Sequence, residues 1–407
     1  MLGAGVFAVW APAADVAGNA LILAVAIAAV IALINALSMA QLAVHYPVAG
    51  GAYVYGKREV HPTAGFIAGI GFVVGKTASV AAMGLAIGQY AWPEHDAVVA
   101  TAAIVVAWAL NVGGISRTAK ATTVIGGAVL LSLLAFMGAG ASQPGTVSLS
   151  AETLWEWPVP ILEIGTAAGL VFFAFAGYAR IASLSEEVRE PHRTIPRAMA
   201  ISLALVLAVY AAVGISLVRR PGVDAVAGSA APLVDLVEGS PVPAIAVTVV
   251  AAVAAFGAMV ALGAGIGRTI MAMARERDLP TPLARQGSTG APWLAEAVAC
   301  AVAIALAWFG NVGFALAMSS FAVLVYYAVA NLAAARARAA GHVGAFVSPR
   351  GLPWVGLVLC VGVALCLPIA PVVSVIAATL LLLALRWLLG WLRVTRQALP
   401  DSAKNRD

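Results

Sequence analysis

Residues 3–7 read Gly3-Ala4-Gly5-Val6-Phe7, and residues 172–178 read Phe172-Phe173-Ala174-Phe175-Ala176-Gly177-Tyr178. Both stretches lie in apolar runs, yet both place glycine where an unbroken helix would avoid it. Glycine costs a helix about 1 kcal/mol against alanine and lets backbone approach a ligand closely. Pro12 follows the first stretch and removes a further helical donor. Taken singly, either stretch reads as close packing of helices through small residues. Taken together they say more, because the second lies five apolar runs on from the first, the spacing of matching helices in two repeats of five. Paired interruptions in matching helices point to a transporter binding site. A broken helix turns free N–H groups toward an anion and free carbonyls toward a cation. A zwitterion such as an amino acid satisfies both.

The surrounding composition puts these breaks in a membrane. Of 407 residues, 62% are hydrophobic and 10% charged, against roughly 25% charged in an average soluble domain. That balance excludes intrinsic disorder, nucleic-acid binding and a secreted disulfide scaffold. Cys300, Cys360 and Cys366 are odd in number and lie in apolar runs, without disulfide or metal spacing. His45, His61, His95, His192 and His342 sit at loops or span ends, so no metal, cofactor or catalytic cluster is expected.

Runs long enough to cross roughly 30 Å of hydrocarbon fall at 19–43, 64–91, 96–112, 121–140, 160–183, 197–218, 242–274, 292–309, 312–334, 352–369 and 371–392. All should be helices, since open strands cannot satisfy their backbone in lipid. Residues 1–14 read as the second half of a first helix, covering roughly 21 Å at best, which makes twelve spans the expected total of the intact protein. Charge placement supports that count. Lys57, Arg58, Arg117, Lys120, Arg189, Arg193, Arg197, Arg275, Arg277, Arg285, Arg336, Arg338, Arg350 and the basic tail all fall on one side. The opposite side holds Arg219 and Arg220 with Asp15, Glu94, Asp96, Glu152, Glu156, Asp224, Asp235 and Glu238. By the positive-inside rule both ends are expected in the cytoplasm, in a multi-pass protein of the cytoplasmic (inner) membrane.

Four stretches together resemble the amino acid–polyamine–organocation superfamily. Gly3-Ala4-Gly5-Val6-Phe7 is similar to the broken first helix of its members, and Tyr46-Pro47-Val48-Ala49-Gly50-Gly51-Ala52-Tyr53 to the signature after their second. The run from Phe172 to Arg197 resembles the sixth helix and its loop, and Arg268 to Leu283 the loop after the eighth. The resemblance implies an all-α integral membrane protein with the LeuT-type five-plus-five inverted repeat. Residues 1–140 would form the first repeat, 141–334 the second, and 335–407 two further helices and a cytoplasmic tail. It further implies a permease for amino acids working by alternating access. The substrate carboxylate would lie on N–H groups around Gly3, Ala4 and Gly5. The ammonium would lie on carbonyls of Phe173, Ala174, Ala176 or their neighbours Phe175 and Gly177, with Phe173 as an aromatic gate.

Departures from the pattern bear on cargo and coupling. Relatives often carry an acid two positions after the sixth-helix glycine, where this chain has Ala179, and no Asp or Glu lies near mid-membrane; Glu163 and Glu296 stand at span ends. A cationic side chain would meet no counter-charge for its desolvation, so neutral amino acids are the expected cargo, with acidic ones or amines as the alternative. Two cations are out of place instead. Arg180 directly follows the break, and Lys76 lies about 18 Å from the basic end of the third helix, too deep to snorkel. Each reads either as a cap on orphan carbonyls or as a coupling residue. Lys76 has the further option of meeting the substrate carboxylate, with its proton linked to site occupancy, because lysine releases a proton more readily than arginine. The eighth helix carries no Ser or Thr between Ala254 and Gly265, which argues for exchange or proton coupling over sodium. A channel is the non-carrier alternative, but the scattered Asn35, Asn311 and Asn331 make no polar ring.

Overall fold

The computed structural model describes residues 3–48, 50–114, 119–143, 145, 160–178 and 190–398. Ala179 and Arg180 lie outside the described residues, and so does the coupling role expected of Arg180. Every regular element among the described residues is a helix. The short α1 (Gly5–Ala8) and α2 (Trp10–Ala17) are separated at Val9, and one turn at Gly18–Ala20 leads into α3 (Leu21–His45). Then come α4 (Ala52–Glu59), α5 (Pro62–Ala91), α6 (Asp96–Val112), α7 (Ala119–Ala141) and α8 (Ile161–Phe175). The second half holds α9 (Pro191–Arg219), the short α10 (Val223–Ala227) and α11 (Pro232–Leu236), α12 (Ala244–Arg275), α13 (Trp293–Phe309) and α14 (Val312–Ala339). It closes with α15 (Leu352–Cys366) and α16 (Ile369–Ala398). Each of the eleven apolar runs read from the sequence thus contains a helix, eight of them in helices long and apolar enough to cross a membrane.

The ends of these helices follow local chemistry. Pro62 opens α5, where its missing N–H costs nothing, and the His61 ring accepts the Thr63 amide at 3.2 Å. Asn311 caps α14 by accepting the Phe314 amide at 2.8 Å. Asn35 and Asn331 are buried and paired, Asn331 Nδ2 donating to Asn35 Oδ1 at 2.6 Å. They tie α3 to α14 rather than lining a pore.

At the centre, α5 and α14 pack along each other. With lipid tails as apolar as leucine side chains, helices in a bilayer associate through close packing and hydrogen bonds, and small residues permit the approach. A Cβ at Gly71 would sit 2.7 Å from the Ala322 carbonyl oxygen, and one at Gly75 would sit 2.9 Å from Val323. Ser79 and Ser319 hydroxyls meet across the same seam at 2.7 Å. By contrast α16 turns Leu380, Leu381 and Trp387 outward, the pattern of a helix facing lipid.

The seam gives a direct test. Gly71→Ala should lower the melting temperature in detergent, because overpacking against backbone costs about 1–3 kcal/mol. Gly126→Ala on α7, where a Cβ meets nothing within 4 Å, should leave it unchanged or raise it slightly.

Candidate functional site

The two glycine-bearing stretches meet. A Cβ at Gly5 would come 2.8 Å from the Ala174 Cα and 2.7 Å from the Tyr210 hydroxyl, so only glycine lets α1 lie against α8 here. A Cβ at Gly3 would lie 3.0 Å from Ala258 on α12. Ala4 precedes α1 without a side-chain cap; its carbonyl accepts the Phe7 and Ala8 amides, both at 2.9 Å, which leaves the amides of Gly5 and Val6 without an acceptor inside α1. Past Val9, the Val6 carbonyl accepts the Trp10 indole N–H at 2.7 Å, and the Phe7 carbonyl accepts the Tyr90 hydroxyl at 3.3 Å.

On the other side, α8 ends at Phe175 and tightens into a single turn over Ala176–Tyr178. Phe173, Ala174, Phe175 and Ala176 are buried, while Gly177 is exposed. The Ala176 amide donates to the Phe173 carbonyl. The Ala176 carbonyl in turn accepts the Lys76 ammonium at 3.3 Å. Lys76 is 7% exposed, and among the described residues this is the hydrogen bond it makes, to a carbonyl just past the end of α8. The structure therefore brings Gly3, Ala4, Gly5, Phe173, Ala174, Ala176 and Lys76 into one region where α1, α5, α8 and α12 converge. Tyr210, buried beside Gly5 with its hydroxyl unpartnered, also belongs to it. Tyr210 escaped the sequence reading because a tyrosine in an apolar run carries no local signal.

A second charged constellation closes the basic end of the bundle, and sequence reasoning missed it. Asp278, 5% exposed, receives Lys57 at 2.9 Å, Arg386 at 2.9 Å and the Tyr53 hydroxyl at 2.7 Å. The loop after α12 is thereby fastened to α4 and to α16. Burial and the bond to Asp278 push the Tyr53 phenol above its ordinary range. Nearby, the Tyr46 hydroxyl donates to Glu59, whose carboxylate also meets the His342 ring at 3.1 Å. Burial first and Glu59 second push the Tyr46 phenol up to about 12, so it stays a donor at any physiological pH. Arg386 stands alone in an apolar run, and that was the available signal.

Comparison with known proteins is consistent along the chain. The profile described as Amino acid permease matches residues 1–389. An uncharacterized transporter of Mycobacterium tuberculosis is 45% identical over 383 residues, covering 92% of this chain and 84% of that protein. The L-methionine/branched-chain amino acid exporter YjeH of Escherichia coli is 32% identical over 219 residues, about half of each chain (52% and 51%). A chloroplastic cationic amino acid transporter of Arabidopsis thaliana is 25% identical over 364 residues, covering 81% of this chain and 62% of that protein.

The basic-end cluster predicts a stability effect. Asp278→Asn removes the carboxylate between two partly buried cations and should destabilise the fold by about 3 kcal/mol, read as a lower melting temperature. Glu276→Gln should cost far less, because Glu276 is 64% exposed and 3.6 Å from Lys57.

Proposed function

This chain belongs to the amino acid permease family of membrane transporters, and from that premise we propose that it moves neutral amino acids across the cytoplasmic membrane by alternating access. The observation that carries the reading is the close approach of α1 at Gly5 to the end of α8 at Ala174. The free amides of α1 suit the substrate carboxylate, and the carbonyls at the end of α8 suit its ammonium. The two breaks would be matching helices of inverted repeats, 1–140 and 141–334, with 335–407 added outside them. The basic loops would face the cytoplasm, as would both termini.

Neutral cargo is supported by charge. Among the described residues the buried acids are Asp278 and Glu296; Asp278 is engaged by Lys57 and Arg386, and neither acid is bonded to Lys76. A guanidinium or second ammonium entering beside Lys76 would add like charge where no described carboxylate meets Lys76. The named substrates of the Escherichia coli exporter are likewise neutral. Lys76 acts as a gating residue in this scheme. It holds the Ala176 carbonyl while the site is empty and turns to the substrate carboxylate when that arrives, freeing the carbonyl for the substrate ammonium. Coupling is by exchange or by protons. A sodium ion needs several oxygen ligands, and α12 offers no hydroxyl between Ala254 and Gly265.

Purified protein in proteoliposomes tests the cargo. Leucine and methionine should compete for uptake, whereas arginine and putrescine should not; strong uptake of arginine would overturn the neutral assignment. Lys76→Met should raise KM for the preferred amino acid by about tenfold or more, the worth of a charge-assisted contact, with the protein still folded. An unchanged KM would leave Lys76 as a cap and no more.

A further inference from the structure

Outside the substrate region, α5, α6, α12 and α13 line a small, partly open cavity of about 20 Å³, room for about one water molecule. Its walls are largely apolar, and one carboxyl group, that of Glu296, opens onto it. Glu296 lies in the first turn of α13 and is 3% exposed, and its Oε2 is buried without a hydrogen-bond partner. Gly267 of α12 has no side chain where a Cβ would overlap the Glu296 chain. The packing of α12 on α13 thus accommodates this side chain.

A buried carboxylate with an oxygen lacking any donor is expensive, and such a group takes up a proton or a cation. The surroundings decide between them. Asn111 spends an amide N–H on the Val260 carbonyl at 3.0 Å, and Trp108 spends its indole N–H on the Trp293 carbonyl at 3.4 Å. Among the described residues no second carboxylate lines the cavity, so a metal ion would lack the oxygen ligands it requires. Arg268 of α12 interacts with Glu296 electrostatically, but it is exposed and solvated. Cys300 is the other ionisable side chain at the cavity. From α5 comes Val80, and from α6 come Ile104, Ala107, Trp108 and Asn111, none of them ionisable. The turn at Thr281–Ala284, also packed on α13, carries no ionisable side chain, and α14 contributes none to the lining. One proton fits this site and a larger cation does not.

Position links the cavity to the substrate region. On α12, Ala258 faces Gly3 while Met259 lines the cavity; on α5, Lys76 reaches the break while Val80, one turn on, lines the cavity. Two helices therefore contribute residues both to the substrate region and to the cavity. At the basic end α6 is held to α13 and its preceding loop by the Trp108 bond and by Thr289 donating to the Val112 carbonyl at 2.8 Å. We propose that Glu296 is a proton-binding site, neutral while α12 and α13 are closed as here and exchanging its proton toward the basic end when they part. This rests on the transport reading above and names the carboxyl group through which protons would be coupled to it. Protonation joins one proton to Oε2 and leaves a neutral acid; opening returns the group to water, where it ionises.

The rival is an ionised Glu296 steadied by the first-turn amides of α13 and by Arg268. Carbodiimide labelling of the reconstituted full chain separates the two, since dicyclohexylcarbodiimide attacks protonated carboxyls in apolar surroundings. At neutral pH, peptide mass spectrometry should find Glu296 modified about tenfold faster than the exposed Glu94, as a buried neutral acid requires. Equal or slower modification overturns the proposal. Glu296→Gln, close in shape and fixed neutral, should keep amino acid counterflow but lose its stimulation by an inward proton gradient; undiminished stimulation overturns the proposal as well. Counterflow in the unmodified protein is read separately. Its absence would sink the transport reading, while the labelling would still decide the state of Glu296.

Discussion

The Lys76 ammonium against the Ala176 carbonyl joins two groups that an apolar interior cannot leave alone. A buried lysine near mid-span costs about 3 kcal/mol even on a lenient insertion scale, and a carbonyl freed where a helix breaks costs free energy when unpaired. At 3.3 Å each relieves the other. The contact requires α5 to stand where it does, and that placement comes from Gly71 and Gly75 letting it close on α14. It also requires α8 to stop at Phe175, which the turn over Ala176–Tyr178 provides. Gly5 brings the other broken helix to the same place. One small-residue seam, one interrupted helix and one misplaced cation thus define the centre of the molecule.

The polar groups arrange themselves at three depths around that centre. The breaks and Lys76 lie in the interior, Glu296 lies behind α12 in its own small cavity, and Asp278 with Lys57, Arg386 and Tyr53 fastens the basic end. The three are mechanically joined, because α12 contributes to each: Ala258 at the breaks, Met259 at the cavity, and at its end the loop that holds Asp278. A carrier needs such a shared element, since occupancy at one place must be felt as opening at another.

Most of the fold was legible in the sequence, because in a bilayer the backbone must satisfy itself and every apolar run of sufficient length becomes a helix. The interruption at Val9 and the end of α8 at Phe175 had a signal for the same reason: Gly3, Gly5 and Pro12 around the first, and Gly177 beside the second, stand out only where helix is otherwise compulsory. Lys76 was conspicuous as a cation far from either end of its run, and its carbonyl partner was among those anticipated. Other features were not legible. Asp278 reads as an ordinary loop acid until Arg386 arrives from the last helix, more than a hundred positions along the chain. Glu296 reads as a harmless acid at a helix start, and its burial depends on Gly267 and on α5 and α6 closing around it. Tyr210 has no local peculiarity at all. Each of these depends on which helix faces which, and the period of hydrophobicity along one helix does not encode that.

In the proposed mechanism substrate lies between α1 and the end of α8, with Lys76 as the switch between empty and filled states. A cryo-electron microscopy map of the protein in lipid nanodiscs with a transported neutral amino acid tests it most directly. Ligand density is expected between the first turn of α1 and the end of α8, with the Lys76 ammonium drawn away from the Ala176 carbonyl toward the ligand carboxylate. Density elsewhere, with the Lys76 to Ala176 contact intact, would contradict it.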